Sequence, residues 1–232
     1  MPNFASSFWS NVAQLVFNAT SWTSIAQNIG TSPATQFYIS LHNADPGIGG
    51  SQTTNETAYT NYARVAVNRT SGGFTVSGSN PVQITNAGGI SFAQCGSTGD
   101  TLTYWGVGLA SSGAGTLLAS GPIGTGLPLD FTCTLASPGV LTIPGSSFAV
   151  NNRLAVYGNA AGTLPSGLTE GTVYFVGTAT GTAITLSTTT ANANPVNTTS
   201  VGAGYAIVCS PLAVSNGITP SFGAGALLAY LS

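Results

Sequence analysis

The sequence predicts an all-β protein: a jelly-roll-like β-sandwich with a short N-terminal helical segment and an inserted small β-domain. Three observations carry this. From residue 36 onward, short apolar and β-branched runs alternate with Gly- or Pro-containing turns roughly every 8–12 residues, the spacing of sandwich and barrel strands. Helical spacing is confined to the first thirty residues. Polarity comes from Ser, Thr, Asn and Gly rather than charge, with a charged share of 3% where soluble domains carry about 25%.

In the N-terminal stretch Phe8, Val12, Leu15 and Val16 fall at i, i+4, i+7 and i+8, with Trp9 beside them. That spacing predicts an amphipathic helix with Ser6 or Ser7 as N-cap, packed on its own β-domain or on a neighbouring subunit. A second short helix is expected over residues 23–30, closed by Gly30. QFYISLH then reads as a strand ended by the Asp-Pro-Gly turn. In NYARVAVNRT, Tyr62, Arg64, Ala66 and Asn68 alternate with Ala63, Val65, Val67 and Arg69, which predicts one continuous strand. FTVSG, PVQITNA, GISFAQC, TLTYWGVGLA and TLLASGPI follow as strands. Residues 127–207 hold a further set of short strands and turns and read as an insert. The tail adds two strands, and SPLAVSNG is expected beside TLLASGPI once the insert is set aside. The expected organisation is a helical arm over 1–30, a core over 31–126 plus 208–232, and an inserted domain over 127–207.

Composition excludes several functions. The chain has 232 residues, three of them arginine, no lysine, five acids and a net charge of −2. Nucleic-acid binding needs clustered cations to displace phosphate counterions. A peripheral membrane helix needs a basic polar face, and a spanning helix about 20 unbroken apolar residues. None of these patterns occurs, so neither nucleic acid nor membrane is an expected partner. A surface this poor in charge suits a subunit packed among others, because charge is what usually keeps soluble proteins apart. Cys95, Cys133 and Cys209 have no metal-ligand spacing and are expected as buried thiols. The segment MPNFASSFW lacks the basic start of a secretory leader.

The only histidine, His42, lies three residues from Asp45 in LHNADPG. A hydrolase triad would add a serine to that pair, but no nucleophile elbow is present. Asp45, Pro46 and Gly47 have turn chemistry at successive turn positions, so the expectation is a strand end followed by a structural turn. The five acids are scattered, which supplies neither the paired carboxylates of a glycosidase nor an Asp-rich calcium loop. No catalytic residue, cofactor or metal ligand is assigned. Arg64 is expected to make a structural bond to the Asp-Pro-Gly loop or an intersubunit pair with Asp45 or Asp100, the alternative being a solvated edge. Tyr104 and Trp105 are expected in the core; exposed, they would be where a sugar-binding surface begins.

Leu41, His42, Asn43, Ala44, Asp45, Pro46 and Gly47, followed by Tyr62-Ala63-Arg64, Trp105 and a Gly-rich final hairpin, resemble a family of tailed-bacteriophage virion proteins variously described as head decoration, cement, head-fibre or tail-fibre-like. The resemblance covers about residues 8–126 and 208–232, and Asn43 stands where the pattern often has Thr. Within the insert, LPSGLTEGTVYFV resembles a small β-module of phage capsid and tail proteins, L-P-x-G-L-x-x-G-T-x-Y-x-V. The resemblance implies a virion location and a structural role. The expected function is capsid decoration, with the major capsid protein and copies of the chain itself, as a homotrimer, for partners. The alternative is a tail-associated fibre or adsorption protein that binds a host glycan, and a third reading is a polysaccharide depolymerase.

Overall fold

The computed structural model describes residues 6–26, 28, 33–78, 82–124, 128–158 and 163–231. The chain divides into two compact units, residues 1–123 with 212–232, and residues 124–211. Its fold is mostly β, with one α-helix among the described residues.

In the first unit, helix α1 (Ser6–Phe17) precedes strands β1 (Gln36–His42), β2 (Val65–Asn68), β3 (Phe74–Ser77), β4 (Val82–Asn86), β5 (Ile90–Ser91), β6 (Asp100–Leu102), β7 (Tyr104–Gly108) and β8 (Leu117–Pro122). The second unit holds β9 (Leu129–Cys133), β10 (Val140–Thr142), β11 (Arg153–Gly158), β12 (Val173–Thr180), β13 (Ala183–Ser187) and β14 (Gly202–Cys209). The chain then returns to the first unit for β15 (Leu212–Val214), β16 (Ser221–Phe222) and β17 (Leu228–Leu231).

The inward face of α1 is Trp9, Ala13, Val16 and Phe17: Val16 and the adjoining Trp9 of the expected stripe face in, joined by Ala13 and Phe17 instead of Phe8, Val12 and Leu15. Ala13 is fully buried; its small side chain lets the helix approach the sheet closely. Phe17 meets Phe37 and Phe74 edge-on, at 5.7 and 5.3 Å between ring centroids. Past Phe17, Ala19 takes a left-handed φ of 55° and the Gln14 carbonyl accepts the N–H groups of both Asn18 and Thr20, which ends the helix. The Arg69 guanidinium donates to the Leu15 and Val16 carbonyls, where a cation complements the negative end of the helix. The second helix expected over 23–30 is replaced, in its described part, by a tight turn: Trp22 and Ala26 exchange backbone bonds and Ser24 has φ 65°. Gly30 lies outside the described residues, as does the Ser6 side chain proposed as a cap.

The main sheet has the antiparallel order β2-β1-β7-β8, with Leu41 opposite Trp105 and His42 opposite Tyr104. A three-stranded sheet, β17-β4-β3, shares its core through Ile39, Phe74, Val82 and Ile84. Two short ribbons, β15-β6 and β16-β5, complete the unit. The tail strand β15 therefore pairs with β6, not with β8 as expected. The expected strand over 61–70 is shortened to Val65–Asn68, for reasons that lie in the site described below.

The second unit is a closed six-stranded antiparallel barrel, β10-β13-β12-β11-β14-β9. Alternation sends Leu154 and Val156, Tyr174 and Val176, Ile184 and Leu186 inward. The L-P-x-G-L-x-x-G-T-x-Y-x-V stretch leads into β12: Gly167 and Gly171 have φ of 107° and 72°, while Leu168, Tyr174 and Val176 enter the core. Gly204 is glycine because a Cβ there would lie 2.3 Å from the Tyr157 carbonyl oxygen and 2.9 Å from the Phe131 ring.

Candidate functional site

The residues singled out in LHNADPG and YAR meet around the loop between His42 and Glu56. His42 ends β1 with its ring fully buried. Its Nδ1–H donates to the Thr54 carbonyl at 2.8 Å, and its Nε2 accepts from the Ser40 hydroxyl at 2.8 Å. That assignment makes the ring neutral, and burial holds its pKa below the ordinary value of 6.5. A serine bonded to a histidine is the first half of a hydrolytic triad. Here it cannot act as one: Ser40 is fully buried too, the third group is a backbone carbonyl, and Gly106 on the neighbouring strand β7 packs beside the pair. A Cβ on Gly106 would lie 2.7 Å from Ser40 Oγ and 2.8 Å from His42 Nε2. The glycine leaves room for this buried polar pair between the strands.

Asp45 bonds within its own turn. Its Oδ1 accepts the Gly47 N–H at 2.9 Å, and its carbonyl accepts Asn55 Nδ2 at 2.7 Å. Gly47 has φ 71°, which a residue with a Cβ adopts only under strain. Pro46 lies between them, so this segment is an Asx-type turn.

Arg64 pairs with neither Asp45 nor Asp100. It forms a two-pronged bond to Glu56, Nε to Oε1 and Nη2 to Oε2, both 2.7 Å. Its remaining donors reach the Ala110 carbonyl at 2.9 Å and the Gly113 carbonyl at 2.8 Å. Tyr62 donates its hydroxyl proton to Glu56 Oε1 at 2.9 Å and accepts the Leu41 N–H at 3.0 Å. The Arg64 side chain is 2% exposed and Glu56 15%, and the bonds to Glu56 push the guanidinium pKa further up. This is the one ion pair among the described residues. It stitches together the end of β1, the loop that carries Glu56, and the β7–β8 connection. It also explains why β2 starts late: Tyr62 and Arg64 are turned toward Glu56 instead of continuing the strand. Fixed fork geometry makes Arg the residue for such a junction.

Gln52 does the same on a smaller scale. It is fully buried, accepts the Ala110 N–H at 2.9 Å and donates to the Tyr38 carbonyl at 3.4 Å. A Cβ on Gly108 or Gly115 would lie within 2.4 Å of its side chain. Tyr104 and Trp105 are 1% and 3% exposed, so neither offers a face to a ligand. The sequence reading overlooked Glu56, Gln52 and Ser40.

The second unit presents a different arrangement. Tyr157 on β11 and Tyr205 on β14 face each other in register and stack at 5.3 Å with a 16° interplanar angle. Asp130 lies opposite Tyr205 on β9. Burial, with the nearby Glu170 carboxylate adding to it, pushes the Tyr205 phenol up. Arg153, on the same strand as Tyr157, lies over the Phe175 ring at 5.3 Å.

The buried ion pair, the histidine and the close-packed glycines all fasten loops to sheets. Residues 10–130, about half the chain, match the family described as Podophage GP4 fiber I protein gp80. The chain belongs to that family, which makes it a structural protein of the phage virion. No curated protein and no solved structure matches it.

Proposed function

We propose that the protein is a building block of a tail-associated fibre or adsorption appendage, assembled from copies of itself. The observation that supports this reading is the family match over residues 10–130, whose description is that of a fibre protein. It favours the appendage over capsid decoration with the major capsid protein as partner. The buried Arg64–Glu56 junction and the jelly-roll-like sandwich in which we place it would supply rigidity, and the near absence of charge would let neighbouring copies pack without repulsion. Quantitative gel analysis of purified particles tests it: a tail appendage is present in a few to some tens of copies, a capsid decoration in hundreds. Hundreds of copies per particle would overturn the reading.

The glycan part of the reading rests on the second unit. Tyr157 and Tyr205 replace Tyr104 and Trp105 as the candidate sugar platform, because a stacked, half-buried aromatic pair beside Asp130 offers apolar ring surface together with a hydroxyl-binding carboxylate. Particles carrying Tyr205→Ala should adsorb to host cells at least tenfold more slowly with the barrel still folded. Unchanged adsorption would remove this surface from the reading.

A further inference from the structure

The strand β2 is an edge of the main sheet. The Arg69 N–H bonds to the Thr35 carbonyl, which fixes the phase of the ladder. In the observed register Val65 and Val67 exchange bonds with Ile39 and Phe37, so Ala66 and Asn68 turn their backbone N–H and C=O groups outward. The Asn68 carbonyl accepts the Thr70 N–H. The outward groups of Ala66 and the Asn68 N–H have no partner among the described residues.

A second open edge faces this one. The Phe92 N–H bonds to the Pro220 carbonyl, and Ile90 is opposite Phe222, so Ser91 on β5 turns its N–H and C=O away from β16. Both edges line one cleft of about 200 Å³, with Gly72, Gly73, Gly88 and Gly89 between them. Ala66, Asn68 and Ser91 are exposed. Gly73 has no room for a side chain, since a Cβ would lie 1.9 Å from the Asn68 carbonyl oxygen.

Exposed edges are normally blunted by charge, proline or a bulge, because they template strand addition. This cleft carries none of these: none of its lining residues is charged, and the flanking Arg64 and Arg69 are both engaged inside the unit. A strand entering it would gain backbone bonds on both sides, and glycines would leave space for its side chains. A charged strand would lose hydration with no counter-ion to meet it. Matching of charge therefore selects the occupant. In a chain with eight charged side chains in 232 residues, nearly every extended segment is neutral.

We propose that this cleft is a strand-addition site that receives an extended segment of a second copy of this chain. The proposal rests on the self-assembly part of the function above and names the surface through which it occurs. Ala66→Pro tests it in the full-length protein. Proline removes only the outward N–H, a position where edge strands tolerate it. Sedimentation across a concentration series should show the unaltered protein self-associating. The variant should associate at least tenfold more weakly while keeping its urea midpoint. Should the variant fail to fold, hydrogen exchange on the unaltered protein decides: the Ala66 and Ser91 amides should slow as concentration rises. A protein that stays monomeric at all concentrations would overturn both the self-assembly reading and this site. Self-association that survives Ala66→Pro, or that leaves those amides fast, would overturn the site alone. Protection found only in intact particles, with the isolated protein monomeric, would assign the cleft to a different virion chain and refute the second-copy occupant.

Discussion

Removing Glu56 leaves Arg64 with two carbonyl acceptors and no counter-charge, in a position where its side chain is 2% exposed. Breaking a buried pair by deleting one partner costs about 3–5 kcal/mol, because the survivor stays desolvated. Glu56→Ala also frees the Tyr62 hydroxyl of its acceptor, which places the expected loss at the upper half of that range. For a unit of this size the loss corresponds to about 10–20 °C in melting temperature. The assay is selective, since Trp9, Trp22 and Trp105 are the chain's three tryptophans and all belong to the first unit. Urea unfolding followed by tryptophan fluorescence therefore reports on that unit while the barrel is silent. The double replacement Glu56→Leu with Arg64→Met removes both charges and should recover at least about 1 kcal/mol of what Glu56→Ala loses, since neutral pairs of similar volume often match buried ion pairs. If Glu56→Ala costs under about 1 kcal/mol, the pair behaves like an exposed surface bridge, and the junction is not what holds these loops.

Other expectations concern pH, packing and the thiols. His42 has a depressed folded-state pKa, so above pH 6.5 neither state is protonated at this group and stability is flat. As pH falls below 6.5 the unfolded chain takes up a proton that the folded protein refuses, and stability drops by at most about 1.4 kcal/mol per pH unit until the folded pKa is reached. His42→Gln should abolish the slope between pH 5 and 6.5 in urea titrations, and an identical slope in both proteins would refute the assignment. Gly106→Ala should cost about 1–3 kcal/mol through overpacking against Ser40 and His42, read from the same fluorescence transition; a neutral result would mean there is room for a methyl group beside them. Asp45→Ala should cost about 0.5–2 kcal/mol, the size of a lost cap or turn bond, with no cost if the turn stands on Pro46 and Gly47 alone. Cys95, Cys133 and Cys209 are free and buried, and burial pushes the Cys209 thiol up to about 12. A thiol-reactive dye should leave the native protein untouched and label three sites in urea; labelling without denaturant would contradict their burial.

What was legible in the sequence follows the reach of each interaction. The all-β class rests on local alternation, and QFYISLH begins and ends where β1 does. Asp45 bonds to a residue two positions on, within range of a local reading. Arg64 does not: its acceptors are Glu56, Ala110 and Gly113, and nothing in TTNETA distinguishes Glu56 from a solvated acid. The alternation in NYARVAVNRT is real, yet an ion pair to a distant loop overrides it for the first half. Of the helix stripe, Trp9 and Val16 do face the core; Ala13 is not legible from the spacing of large apolar residues, because its smallness is what brings the helix close. The second helix fails at Ser24, where a left-handed residue follows no signal that glycine or asparagine would have given. TLTYWGVGLA reads as a strand, yet only the packed sheet shows that Gly106 and Gly108 make room for His42 and Gln52.

The neutral, enclosed imidazole has an electrical consequence. With no lysine anywhere in the chain and the pKa of its lone histidine held below 6.5 by burial, the imidazole of the folded protein stays uncharged in neutral surroundings. An array of such subunits would gain no charge from its histidines as the surroundings pass from alkaline to neutral.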